Sequence, residues 1–120
     1  MMTLGPINSL DAVSAATDVA SDPVNIQYVT LLSLQGVISG GSSPTGTLKI
    51  QVSNDKPLSP STPFVPTNWS DLASGSLSFT DNATKVTNAL TVSYYWARVY
   101  WDASSGTGTL TATLFGNAPA

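Results

Sequence analysis

The sequence predicts an all-β fold: an antiparallel β-sandwich, jelly-roll or immunoglobulin-like, with an extended N-terminal arm. Three observations predict it. Apolar residues alternate with polar ones in Leu48/Ile50/Val52 and Leu110/Ala112/Leu114, the period of a strand with one buried face. Thr and Ser fill the polar positions while Glu is absent, a choice that suits a pleated surface and not the wet face of a helix. Clusters of Gly, Pro, Asn, Asp and Ser punctuate the chain between these runs, as in a sandwich of short strands.

Residues 1–23 hold Pro6, small residues and three Asp, and read as the arm. Leu4, Ile7, Leu10 and Val13 recur every third residue, a spacing that fits an irregular arm or a helical turn better than a strand. A weak helical turn fits Asp11 to Thr17. The arm is either a solvated tail or a segment that orders against a neighbouring protein, with those four residues as anchors. The sandwich domain then spans 24–116, with a short tail at 117–120.

Residues 24–38 read as one long strand, or as two joined by a bulge. Val24, Ile26 and Tyr28 alternate, and Val29, Leu31 and Leu32 break the phase. Ser39-Gly-Gly-Ser-Ser-Pro-Thr-Gly46 is a loop, and 47–53 is a clean strand. Pro57, Pro60, Pro63 and Pro66 exclude a central strand over 57–66, because proline lacks the ladder N–H. Their spacing suits polyproline II in a surface loop, inert or used for docking. Gly75 to Phe79 alternates as a strand, and Val86, Leu90 and Val92 suggest another short one. Tyr94 to Trp101 is the strongest strand. Asp102 to Gly106 reads as a hairpin turn, with Thr107 to Phe115 as the returning partner.

Composition narrows the function. The hydrophobic fraction is 42%, enough for a core in 120 residues, whereas only 9% of residues are charged, far below the usual quarter. A surface with so few charges is cheap to desolvate, which favours docking. A net charge of −3 without a basic patch argues against nucleic acid and against anionic membranes. No run reaches the length of a membrane span, and the first Lys is Lys49, so the expectation is a chain made in the cytoplasm without a signal peptide. With no Cys and no His, thiolate metal sites, disulfides and the usual general base are absent. Asp55, Asp81 and Asp102 read as turn residues, and no Asp-x-Asp-x-Asp run supports calcium. The reading is therefore not an enzyme, with no cofactor, no metal and no catalytic residue.

The aromatic run is the unusual feature. Tyr94, Trp96, Arg98 and Tyr100 share one face of the predicted strand, and Tyr95, Ala97, Val99 and Trp101 share the other. Either both faces are covered, one by the second sheet and one by the Pro-rich loop, or the first set is a platform for a partner protein or a glycan. Rings fixed on a strand give contact area at low entropic cost. Arg98 would stack on those rings or pair with a carboxylate.

The run Tyr94-Tyr-Trp-Ala-Arg-Val-Tyr-Trp-Asp-Ala-Ser-Ser-Gly-Thr-Gly-Thr-Leu-Thr-Ala-Thr-Leu-Phe-Gly116 resembles the C-terminal hairpin of small β-sandwich virion proteins of tailed bacteriophages. Gly46-Thr-Leu-Lys-Ile-Gln-Val-Ser-Asn-Asp55 followed by Trp69 fits the same pattern. The likeness covers 24–116 and rests on strand chemistry. It implies a capsid decoration (cement) protein that binds the outside of the shell and bridges major capsid protein subunits, with a homotrimer as its assembly. A tail, fibre or neck module and a carbohydrate-binding module are the alternatives.

Overall fold

The computed structural model describes residues 2–56 and 64–118, and of residues 2–4 the backbone alone. Pro57, Pro60 and Pro63, which carry the polyproline expectation, lie outside the described residues. The described chain contains no helix, and so none long and apolar enough to cross a membrane. Its strands are β1 (Met2–Ser14), β2 (Val19–Ala20), β3 (Val24–Asn25), β4 (Leu31–Ser39), β5 (Thr45–Ser53), β6 (Ser70–Phe79), β7 (Ala83–Val86), β8 (Leu90–Thr91), β9 (Trp96–Ser105) and β10 (Thr109–Ala118).

These strands make an antiparallel β-sandwich. One sheet, the β4 sheet, has the order β1-β10-β4, with β7 and β8 both on the free side of β4; the other, the β9 sheet, has β9-β5-β6, with β2 and β3 both on the free side of β9. Each short pair is one strand interrupted in the middle, and a hydroxyl residue stitches each interruption. Ser21 lies between β2 and β3: its Oγ accepts from the Val99 amide at 2.8 Å, and its own amide donates to the Val99 carbonyl. Thr87, between β7 and β8, does the same to Leu34. Counted so, eight strands wind between the sheets. Every connection crosses from one sheet to the other except β5 to β6. That winding is the jelly roll, one of the two sandwich types expected.

The inner faces follow the alternation. Leu32, Leu34 and Ile38 of β4 and Leu110, Ala112 and Leu114 of β10 meet Leu48, Ile50 and Val52 of β5 and Ala97, Val99 and Trp101 of β9. Each fully buried Leu, Ile or Val contributes about 1.5–3 kcal/mol relative to exposure. Trp101 is 0% exposed, packs edge-on to Phe79 at 6.0 Å and donates its indole N–H to the Ala15 carbonyl at 3.0 Å. A buried indole needs that acceptor.

Four expectations differ from the structure. The arm is β1, paired with β10 from Met2↔Ala118 to Ser14↔Thr109. The pairing slips at Thr3/Gly5, Pro6/Asn8 and Leu10/Val13. A bulge adds one residue to a period of two, so repeated bulges turn the strand period into the spacing of three at Leu4, Ile7, Leu10 and Val13. Residues 15–17 turn without forming a helix. The phase break at Val29 marks a change of sheet: β3 pairs β9 and β4 pairs β10, with Ile26 and Val29 buried in the crossing. Finally, β9 and β10 are no hairpin. Asp102 lies on β9, the chain turns at 106–108, and β10 enters the opposite sheet. Both strands carry a row of buried side chains, and a crossing connection puts the two rows face to face in one core.

Candidate functional site: the outer face of the β9 sheet

Alternation along β9 sends Ala97, Val99 and Trp101 into the core, so Trp96, Arg98, Tyr100 and Asp102 point outward. The register aligns Gln51 with Arg98 and with Asp71, Lys49 with Tyr100, and Thr47 with Asp102. Three strands thus place a row of polar side chains beside aromatic rings.

Arg98 sits at the centre. Its Nε–H donates to Gln51 Oε1 at 2.8 Å, and its guanidinium carbon lies 4.5 Å from the Trp69 ring centroid and 5.4 Å from that of Tyr100. Cation–π attraction to both rings fixes its direction. Burial pushes the guanidinium's pKa down, with Tyr100 acting the other way. Gln51 Nε2 donates onward to Asp71 Oδ1 at 3.0 Å. Lys49 Nζ bridges Asp71 Oδ2 at 3.2 Å and Asp102 Oδ2 at 3.5 Å. The Asp71 carboxyl is held below its usual pKa, first by the Gln51 hydrogen bond and then by Lys49. The Lys49 ammonium is raised, first by Asp71. Such half-exposed ion pairs stabilise little, about 0–1 kcal/mol, and serve mainly to hold geometry.

The two ends of the face are pinned from afar. Asp18 accepts from the Ala103 amide at 2.7 Å and from the Tyr100 hydroxyl at 3.3 Å. Burial, ahead of Asp18, raises the Tyr100 phenol. At the other end, Trp96 donates its indole N–H to the Asp55 carbonyl at 2.8 Å and lies 6.1 Å, tilted, from Phe64. The Asp55 carboxylate accepts from the amides of Thr67 and Asn68, both at 2.8 Å, and from the Asn68 side chain at 3.0 Å. These bonds, the Asn68 side chain first, lower the Asp55 pKa.

Of the aromatic set read from the sequence, Trp96, Arg98 and Tyr100 share this face. Tyr94 does not: it precedes β9 and packs against the core. Leu10 is buried, and Ile7 and Val13 pack half-buried on the same core, so these three are committed within the chain. The side chain of Leu4 lies outside the described residues. Phe64, within the Pro-rich stretch 57–66, leans on Trp96, so that end of the face is partly covered, and the rest of the face stays half exposed. Trp69, Gln51, Lys49, Asp71, Asp55 and Asp18 belong to the site and were not foreseen as such. Alternation had already put Lys49 and Gln51 outward; nothing local marked Asp18 or Trp69.

Chemically, this is a fixed, half-exposed surface of rings, one guanidinium and short polar bridges. Among the described residues no three carboxylates, His or Cys gather as a metal cluster. Arg98 lies over one face of the Trp69 ring and one face of the Tyr100 ring. No known protein family and no curated protein matches the chain.

Proposed function

We propose that this protein is a structural component of a tailed-phage virion, a capsid decoration protein that docks on the outside of the shell and bridges major capsid protein subunits. The virion reading rests on the resemblance of 24–116. The docking reading rests on one observation: aromatic and guanidinium side chains held rigid on a broad sheet face, Arg98 between Trp69 and Tyr100. Interface energy concentrates in such anchors, because their ordering entropy is spent before the partner arrives. A ring face that Arg98 covers is closed to a stacked sugar, and the guanidinium itself offers a contact to a protein side chain; both favour a protein partner over a glycan. With the N-terminal segment folded into the sandwich as β1, the β9-sheet face takes over the docking role given to the arm.

The test is to mix the purified chain with undecorated shells and count bound copies by mass and by electron microscopy. A decoration protein binds in the high, symmetry-related copy number of a shell lattice. Binding at one vertex or to tails alone would assign it to the tail instead, and no binding to particles would end the virion reading. Trp96→Ala is expected to weaken docking at least about ten-fold while the fold persists.

A further inference from the structure

Arg98 has five N–H donors, and among the described residues only its Nε–H has an acceptor, the neutral Gln51; no carboxylate pairs with it. The carboxylates nearby are committed: Asp71 and Asp102 share Lys49, and Asp18 holds Tyr100 and the Ala103 amide. The guanidinium is thus partly desolvated, aimed by two rings and a hydrogen bond, and, among the described residues, without a directly paired carboxylate. A guanidinium in that state is complementary to the planar, bidentate carboxylate. We propose that Arg98 is a fork that receives an acidic side chain of the protein partner, flanked by apolar residues that lie against Trp69 and Trp96. This rests on the docking role of the β9-sheet face and names the chemistry of what docks there. Charge selects the occupant. Around Arg98 stand Lys49 and three Asp, a surrounding that repels phosphate, nucleic acid or an anionic membrane more than it repels a single carboxylate.

The test uses the isotope-labelled full chain and two blocked peptides, Gly-Leu-Asp-Leu-Gly and its Asn counterpart, which differ by one carboxylate. NMR follows the Arg98 Nε–Hε and Trp69 indole signals. The Asp peptide is expected to saturate both shifts at a concentration about ten-fold lower than the Asn peptide. Arg98→Lys, which keeps the charge and loses the fork, should erase that difference. So should Gln51→Glu, which offers Arg98 a carboxylate from its own chain. Equal titration by the two peptides, or an Arg98→Lys chain that still prefers the Asp peptide, overturns the proposal. So does a concentration-dependent dimer that Arg98→Lys disperses without peptide, because the carboxylate then comes from a second copy. The titration needs no shell. A chain that fails to decorate shells yet prefers the Asp peptide loses the capsid reading and keeps the fork. Normal decoration with no preference does the reverse.

Discussion

The two sheets obey the same rules on the inside and different ones on the outside. Each has a long central pair, an interrupted neighbour stitched by one hydroxyl residue, and an inner row of Leu, Ile and Val. Outside they diverge. The central strands of the β4 sheet, β4 and β10, contain no charged residue, and their outer face shows Ser33, Gln35, Thr113 and Phe115. Those four and Val86 line a shallow depression of about 190 Å³. The central strands of the β9 sheet, β5 and β9, carry Lys49, Arg98 and Asp102, bridged to neighbouring strands. A neutral face is cheap to cover and selects little; a face of oriented charges and rings costs more to cover and discriminates between partners. The inner rows make the fold, and the outer rows differentiate its two sides.

The largest expected effect tests whether the β4 sheet is complete without its N-terminal edge. Deleting residues 1–14 removes β1, which covers β10 along nearly its whole length and contributes buried Leu10. The truncated chain is expected to lose cooperative unfolding in urea, followed by circular dichroism. A cooperative transition at the unchanged midpoint would return β1 to the status of a detachable arm.

A pair of glycines compares the inner faces. A Cβ at Gly46 would lie 2.6 Å from the Asp102 carbonyl oxygen, which is backbone, and equally close to the Trp101 ring. A Cβ at Gly36 would meet Leu48 Cδ2 at 2.5 Å and Phe79 Cζ at 3.1 Å, both side-chain ends that can turn aside. Overpacking costs about 1–3 kcal/mol, and Gly46→Ala in the β9 sheet should fall at the upper end with Gly36→Ala in the β4 sheet below it. Denaturant midpoints of the two variants give the order. The reverse order would mean that β5 and β9 yield more readily than the side chains between the sheets.

These inner contacts also mark how far the sequence could be read. Leu48/Ile50/Val52, Ala97/Val99/Trp101 and Leu110/Ala112/Leu114 announce strands because alternation is local, and all three rows are buried. Whether two such rows lie side by side or face to face is not a local property. Tyr94 to Phe115 therefore reads as a hairpin although β9 and β10 belong to opposite sheets. β1 escapes for another reason: its bulges replace the strand period by a spacing of three. In the site, the positions of Trp96, Arg98 and Tyr100 follow from alternation alone. The Asp18 contact to Tyr100 spans 82 residues of sequence and leaves no local trace.

Acid should separate the sheets next. Asp55 ties the start of the chain after β5 to Thr67 and Asn68, and its folded pKa is lowered. The sign follows from that direction. A depressed carboxylate stabilises fully above its unfolded value of about 3.9 and loses that contribution as pH falls through the lower folded value. Asp71, on the same sheet, shifts the same way. In the β4 sheet, β4, β7, β8 and β10 contain no Asp. Below about pH 4, amide exchange corrected for intrinsic rate should quicken at Thr67, Asn68 and the Trp96 indole before it quickens in β4 and β10. Asp55→Asn should show the faster exchange at Thr67 and Asn68 already at neutral pH. Uniform quickening across both sheets would mean that acid acts on the whole fold and not on this latch.

The smallest effect asks whether the neutral face takes any part. Phe115 is 37% exposed on β10, opposite Ser33 and beside Val86, which is 59% exposed. Its side chain is partly shielded on the sheet surface but is not packed on the core, so Phe115→Ser should cost about 1–2 kcal/mol and leave the sandwich folded. It lies on the opposite side of the sandwich from Arg98, so it should leave both shell docking and the Asp-peptide preference where they were. Its docking readout then separates the two faces directly. If Phe115→Ser reduces shell binding as much as Trp96→Ala does, both faces make contact, and the protein is clasped between two neighbours instead of resting on one. If it reduces shell binding while Trp96→Ala does not, the neutral face is the one that docks, and the oriented charges of the β9 sheet serve its own geometry.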